Sequence, residues 1–244
     1  MKQAMLLAAG LGTRLRPLTD TMPKALVPVA GSPLLYHVIM KLKAAGFERI
    51  VVNIHHFGQQ IIDYLETNHY FGMDIRISDE RDQLLETGGA LKKAAHLFDT
   101  DFPILIHNVD ILSNVDLQMM WKQATPLTSV LLVSHRQTKR YLLFDEQHKL
   151  AGWTNIEAGI VKTPHKQFHL DQYYRMAFDG IHLFSPSLFP LMDAWPDKFS
   201  IIDFYLQVCA RFPIIAWEQV GLRMMDVGKT ETLQEADDFL SSLS

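Results

Sequence analysis

Through the first half of the chain, short apolar runs alternate with longer stretches whose apolar positions recur every three to four residues. The runs cover residues 4–8, 50–54, 75–78 and 103–107, each rich in Ala, Val, Ile or Leu with turn formers close by. Such runs predict buried β-strands. Residues 33–45 place Leu34, Leu35, Val38, Ile39 and Leu42 on one helical face. Ser32 stands at the N-cap position, Pro33 at the first helical position and Gly46 where a helix stops. Residues 59–68 and 89–97 predict two further helices. Strand and helix alternating in this way predict right-handed crossovers and a parallel sheet, whose ligands bind beyond the carboxyl ends of the strands.

The second half is less regular. Residues 128–134, 141–145 and 176–184 read as strands, and residues 152–172 mix polarity and turn formers as a loop-rich flap would. Helices are expected over residues 200–211 and 230–243; in the second, Thr232 and Glu235 have the spacing of a capping box. No repeat or linker divides the 244 residues, so one domain spanning residues 1–244 is expected.

Composition narrows the function. Hydrophobic residues make up 48% and charged residues 20%, an ordinary globular balance. A net charge of −4 supplies no broad basic surface for a nucleic acid. No run approaches the length of a membrane span, and Cys209 is the only cysteine, so a cytoplasmic protein without disulfides or membrane contact is expected. Eleven histidines show no metal-binding spacing.

The chemistry concentrates where the first strand ends, in Ala8-Ala9-Gly10-Leu11-Gly12-Thr13-Arg14-Leu15-Arg16-Pro17, followed by Pro23-Lys24-Ala25-Leu26. Ala8 and Ala9 carry no bulky side chain where a nucleotide must lie against the backbone. Gly10 and Gly12 permit positive φ, so that successive N–H groups can point at phosphate oxygens. Arg14 and Arg16 offer forked, permanent charges and Lys24 a compact one. A dinucleotide-binding fingerprint would need a third glycine where Leu15 stands, which weighs against an oxidoreductase. Gly228-Lys229-Thr230 is no P-loop, because Arg223 occupies the place of its first glycine.

The glycine loop together with Pro-Lys-Ala-Leu resembles the signature of the sugar-1-phosphate nucleotidyltransferases, and the likeness extends more loosely over nearly the whole chain. The resemblance implies an α/β fold, Rossmann-like, with a mostly parallel sheet and helices on both faces, of the nucleotide-diphosphosugar transferase type. It implies Mg²⁺ as cofactor, and a nucleoside triphosphate and a sugar 1-phosphate as substrates for a monomer or homodimer. The nucleotide-binding half would run to about residue 125 and the sugar-binding half from there to the end.

By the same resemblance Ala8, Ala9, Gly10, Gly12, Thr13 and Arg14 hold the triphosphate, and Arg14 and Lys24 carry catalysis by stabilising charge at the α-phosphate. Thr87, Gly88 and Gly89, in Glu86-Thr87-Gly88-Gly89, resemble the base-reading segment, whose glycines would let the base approach. Asp110 and Asp226 match the two metal-binding aspartates, although Val109 replaces the usual glycine before the first and Lys229 the usual threonine after the second. Phe178-Asp179-Gly180-Ile181 resembles the acceptor strand and makes Gly180 a sugar-site candidate, with Arg175 a second candidate for the sugar phosphate. The short length, the Glu-Thr-Gly-Gly segment and the missing Glu-Lys-Pro element look nearest to uridylyltransferases of N-acetylmuramate 1-phosphate, with mannose-1-phosphate guanylyltransferases next. A catalytically silent nucleotide-sugar sensor is the alternative of a different class.

Overall fold

The computed structural model describes residues 1–243. Its elements run in chain order as β1 (Gln3–Leu7), β2 (Pro28–Val29), β3 (Ser32–Pro33), α1 (Leu34–Ala44), β4 (Arg49–Ile54), α2 (Gly58–Thr67), β5 (Asp74–Asp79), α3 (Glu86–Ala94), β6 (Ile104–Asn108), β7 (Ile111–Ser113) and α4 (Leu117–Trp121). The second half continues with β8 (Ser129–Ser134), β9 (Arg140–Phe144), β10 (Leu150–Asn155), β11 (Ile160–Lys162), β12 (Tyr174–Phe184), α5 (Phe189–Met192), α6 (Ile201–Val208), β13 (Ile214–Trp217), β14 (Met224–Asp226) and α7 (Thr230–Leu243). No helix among the described residues is long and apolar enough to cross a membrane.

Four strands of the first half lie parallel in the order β5-β4-β1-β6. Successive side chains on a strand face opposite ways, and the two layers of core follow from that. Ala4, Leu6, Ile50, Val52 and Leu105 pack with Leu35 and Ile39 of α1 and Ile61 and Leu65 of α2. Met5, Val51, Ile104 and Ile106 face the other way, toward Leu91 of α3 and Phe204 and Tyr205 of α6. Helices therefore cover both faces, as a buried parallel sheet requires.

Beyond β6 the direction changes. β12 pairs antiparallel with β6, β8 and β9, and β10 and β11 extend an antiparallel wing, while β13 lies parallel to β8. The loop-rich flap expected over residues 152–172 is in part this wing: β10 and β11 form a hairpin within it. β12 bends between Phe178 and His182, where Gly180 takes φ +73°.

Two expected caps differ. Ser32 is drawn into the short β2–β3 ribbon, so Pro33 becomes the cap of α1, whereas Gly46, at φ +79°, ends the helix region as expected. Thr232 forms no capping box. Its hydroxyl bonds the backbone of Lys229 instead. A third apolar cluster, Leu15, Val27, Val29, Leu34, Leu112, Val227 and Ala236, anchors α7 over the β7–β14 ribbon and the loop after β1.

His182 on β12 is 2% exposed, sits edge-on to Tyr205 at 5.6 Å between ring centroids, and finds no partner for either ring nitrogen among the described residues. Burial lowers its pKa to about 3. A histidine held neutral in the fold stabilises it fully above its ordinary pKa, and that contribution is lost as pH falls from about 6.5 toward about 3. We predict that His182→Leu removes about 2–3 kcal/mol of the stability difference between pH 7 and pH 4.5, read from urea midpoints at unchanged m value. An unchanged difference contradicts the assignment.

Candidate active site

The parallel strands deliver their carboxyl ends to one edge of the sheet, and a cavity of 260 Å³ opens there. Ala9, Gly10, Thr87 and Asp110 line it, together with Leu7, Asn53, Glu80, Leu84, Glu86 and Asn108. The end of β1, the start of α3 and the end of β6 thus share one hollow.

Asn53 sets the turn after β1. It is 3% exposed in an otherwise apolar strand, and its Oδ1 accepts from the N–H groups of Ala8 at 2.6 Å and Ala9 at 3.3 Å. Its amide nitrogen donates to Glu80 at 2.8 Å, and Glu80, fully buried, also accepts from Leu85 N–H at 3.3 Å. Burial raises the Glu80 carboxyl above the ordinary range, and the bonds from Asn53 and Leu85 work against that rise. Asn53 and Glu80 thus tie the phosphate-loop candidate to the segment that opens α3.

The two glycines of the loop differ. Gly12 takes φ +64°, and a Cβ there would lie 2.8 Å from Thr19 Cγ2. Gly10 needs no positive φ and has open space where a side chain would stand. Only Gly12 is therefore required by conformation; Gly10 leaves the backbone accessible. Thr13 and Arg14 are exposed beyond it, and Leu15 is fully buried and pins the loop. Arg16 turns to Asp20 at 3.2 Å rather than to the cavity.

The acidic pair comes together through the β7–β14 ribbon. Asp226 stands opposite Ile111, and Val227 N–H donates to the Asp110 carbonyl at 2.9 Å, so residues far apart in the chain become neighbours. Val109, where the family has glycine, turns its side chain into the core and leaves Asp110 facing the site. Lys24, 7% exposed, forms an ion pair with Asp110.

A Cβ on Gly228 would stand 2.6 Å from Asp226 Oδ1 and 2.8 Å from Arg14 Nη2, so these two groups flank one spot. Asp226 keeps an exposed edge, yet its carboxyl is held above the ordinary range, first by the protein around it and then by Asp110. Lys24, Arg14 and Arg136 pull the other way.

Gly88 and Gly89 lie in the first turn of α3, as expected, and pack against the segment at Phe199. Their N–H groups donate to the Phe199 carbonyl at 2.9 and 3.2 Å. A Cβ on Gly88 would enter the Phe199 ring, and one on Gly89 the Asp197 carbonyl. Side chains at these two positions would meet protein, and both N–H groups are already engaged. Thr87 and Glu86 remain on the cavity wall, and Glu86 does so with φ +60°. The Thr87 hydroxyl accepts from Ile201 N–H at 2.9 Å.

Gly180 is buried, and a Cβ there would lie 2.8 Å from Asn108 Nδ2. It makes space for a residue of the cavity wall and does not line that cavity itself. Arg175 is exposed on the face of β12 opposite Met176 and Phe178. Strand alternation carries it away from the neighbouring 520 Å³ cavity that Phe178 lines.

Asn53, Glu80, Glu86, Asn108 and Arg136 escaped the reading of the sequence. Asn53 carried a signal, a polar residue inside an apolar strand run. Arg136, whose Nε donates to the buried Asp179 at 2.8 Å, carried none.

A parallel sheet with a glycine loop, two cations and two carboxylates gathered at its strand ends defines an enzyme of the nucleotidyltransferase class. Comparison with known proteins agrees: the profile of the nucleotidyl transferase family matches residues 3–143, and the chain belongs to that family. It is 33% identical over 192 residues to the N-acetylmuramate alpha-1-phosphate uridylyltransferase of Neisseria meningitidis serogroup B, a match covering 79% of each chain. It is 49% identical over 111 residues to the protein of that name from Caulobacter vibrioides, covering 45% of this chain but only 46% of that one. Among solved structures, HddC from Yersinia pseudotuberculosis complexed with GMP-PN shares the fold with TM-score 0.76 at 21% identity, over 98% of this chain and all of that one.

The Asn53 brace yields a test. Asn53→Ala strips partners from two backbone N–H groups and a buried carboxyl, and is expected to cost about 1–3 kcal/mol. Asn53→Asp keeps the acceptor for Ala8 and Ala9 but faces Glu80, and should raise nucleotide KM less than Asn53→Ala while destabilising more at pH 8 than at pH 5. Urea unfolding and steady-state kinetics check both.

Proposed function

We propose that the chain transfers a uridylyl group from UTP to N-acetylmuramate 1-phosphate, giving the nucleotide sugar and pyrophosphate. An oxygen of the sugar phosphate attacks the α-phosphorus in line, and the bond from that phosphorus to the pyrophosphate oxygen breaks. The nucleophile is already ionised near neutral pH, so no general base is required. The obstacle is the meeting of two anions, and it calls for alignment and fixed positive charge.

The single observation that carries this reading is the convergence of Arg14, Lys24, Asp110 and Asp226 beside a nucleoside-sized hollow. Backbone N–H groups from Gly10 to Thr13 take the phosphates, Lys24 and Arg14 neutralise charge at the α-phosphate, and Glu86, Thr87 and Leu84 wall the nucleoside. The donor set fits Mg²⁺, which is held by one or two carboxylates and completes its shell with phosphate oxygens and water. Among the described residues no group of three or more His, Cys, Asp or Glu gathers as a self-sufficient metal site, and the pair Asp110 and Asp226 suits an ion shared with the triphosphate. When bound there, the ion would offset charge on the phosphates and help to hold them in line.

The sugar half is read from the 520 Å³ cavity beside this one. Phe178, Arg136, Ser200 and Ile202 line it, and their chain neighbours Gly180 and Ile201 touch Asn108 and Thr87 of the nucleotide hollow. The choice of N-acetylmuramate and UTP is supported by the Neisseria relative, which matches most of both chains. A second reading, guanylyl transfer to mannose 1-phosphate, is favoured by a 27% identity to the mannose-1-phosphate guanyltransferase of Yarrowia lipolytica that covers 99% of this chain and 65% of that one.

A pyrophosphate-release screen crossing five nucleoside triphosphates with sugar 1-phosphates decides among them. The expected result is turnover with UTP and N-acetylmuramate 1-phosphate. Turnover confined to GTP and mannose 1-phosphate establishes the second reading, and silence across all pairs favours a sensor. Asp110→Asn and Asp226→Asn should each lower kcat by about 100-fold or more with the fold retained. A variant with full activity removes that aspartate from the mechanism.

A further inference from the structure

The 520 Å³ cavity holds three cations, Arg136, Arg140 and Lys162, against one carboxylate, Asp203. Two of the cations are already engaged. Arg136 donates from Nε to Asp179 and from Nη2 to the Phe178 carbonyl, each at 2.8 Å. Lys162 donates to Asp203 at 2.8 Å and lies 5.3 Å from the centre of the Trp153 ring. The guanidinium of Arg140 has neither a hydrogen bond nor an ion pair among the described residues. After Asp179 and Asp203 have answered their partners, the cavity keeps one uncompensated positive charge, and it is Arg140.

Its place follows from the strand register. Leu142, Trp153 and Lys162 form one row across β9, β10 and β11, and Arg140 stands two residues along β9 from Leu142, on the same face. That spacing sets it about 7 Å further along the cavity wall. Arg136 lines the same cavity with its guanidinium held on Asp179 and the Phe178 carbonyl. The cations of the cavity are therefore unequal: Arg136 and Lys162 are answered by protein, and Arg140 stands unanswered in a wall shared with Tyr141, Trp153 and Phe178. A neutral hexose 1-phosphate carries its charge to the transfer site beside Arg14 and Lys24 and leaves Arg140 idle. A sugar with a second anionic group away from its anomeric phosphate engages Arg140 as well.

We propose that Arg140 is a specificity-determining residue that binds a carboxylate carried by the sugar ring, so that the enzyme selects acidic sugar 1-phosphates over neutral ones of the same ring. This rests on the reading of the chain as a sugar-1-phosphate nucleotidyltransferase, and it deepens that reading to a substrate class. N-acetylmuramate 1-phosphate and N-acetylglucosamine 1-phosphate differ by one lactyl ether bearing a carboxylate, so the pair isolates the contribution of that charge. A guanidinium binds a carboxylate through two parallel N–H bonds, which makes the contact geometrically selective.

The test is steady-state kinetics of the full chain, Arg140→Gln, Arg140→Lys and the control Lys139→Gln, whose lysine pairs with Glu157 outside the cavity. Acceptors are those two sugars, glucuronate 1-phosphate and mannose 1-phosphate, with UTP and GTP; calorimetric affinities for the same acceptors are measured in every case. Arg140→Gln should raise KM for N-acetylmuramate 1-phosphate by about 10- to 100-fold with kcat little changed, and leave N-acetylglucosamine 1-phosphate unaffected. Arg140→Lys should recover part of the loss, and Lys139→Gln should match the parent. An equal fall for both sugars, or no fall for either, overturns the assignment.

If the parent ignores N-acetylmuramate 1-phosphate yet prefers glucuronate 1-phosphate, and Arg140→Gln erases that preference, the substrate named above is wrong and the role of Arg140 stands. A parent that favours neutral sugars by affinity, with Arg140→Gln indifferent, overturns the role.

Discussion

Two carboxylates brought side by side repel each other, and the arrangement of this molecule answers that repulsion. Asp110 and Asp226 lie on the two strands of one short ribbon, joined by the bond from Val227 N–H to the Asp110 carbonyl. The Asp226 carboxyl is raised by the protein around it and by Asp110, and Lys24, Arg14 and Arg136 oppose the rise from three different parts of the chain. Lys24 is itself buried, so the ion pair with Asp110 must form for the loop after Pro23 to pack. Removing one charge leaves the others uncompensated. This links the opening loop, the central strand and the C-terminal ribbon into one unit, and α7 closes over them through the cluster of Leu15, Leu112 and Val227.

Support for the nucleotide hollow is built in the same economical way. Asn53 spends its amide on both neighbours, fixing the Ala8-Ala9 turn with its oxygen and Glu80 with its nitrogen. The glycines divide their tasks. Gly12 turns the chain and Gly10 leaves space open, whereas Gly88, Gly89 and Gly180 let other parts of the protein come close. The segment at Phe199 that crosses Gly88 and Gly89 continues into α6, whose first residues line the 520 Å³ cavity. One backbone crossing therefore joins the two cavities.

Much of this was legible beforehand because it is local. Apolar runs marked the four parallel strands to within a residue or two: β1, β4 and β6 are largely buried and therefore largely apolar, and β5, at the sheet edge, kept Ile75 and Ile77 as its signal. The glycine loop, Lys24, Asp110 and Asp226 stood out by motif, and the structure brings them together. The β7–β14 ribbon was not legible, because three-residue strands such as Met224–Asp226 leave too short a pattern. The hairpin of β10 and β11 was hidden because β11 is only three residues long and exposes Ile160 and Val161 at the sheet edge, which leaves no alternation to read. Gly88 and Gly89 were read as space for a base because a missing side chain announces that something comes close without saying what. Arg140 and Arg136 look alike in sequence; only the partners of the second, Asp179 and the Phe178 carbonyl, reveal that the first is unanswered.

The shared ion is where the account is most exposed. Crystals grown with Mn²⁺ and a non-hydrolysable UTP analogue would give an anomalous scattering peak that locates the ion independently of the protein map. A peak within bonding distance of both Asp110 and Asp226 and of a phosphate oxygen, with Arg14 and Lys24 on the same phosphates, is the predicted result. An ion bound by only one of the two aspartates, or phosphates lying away from the loop of Gly10 and Gly12, would contradict it.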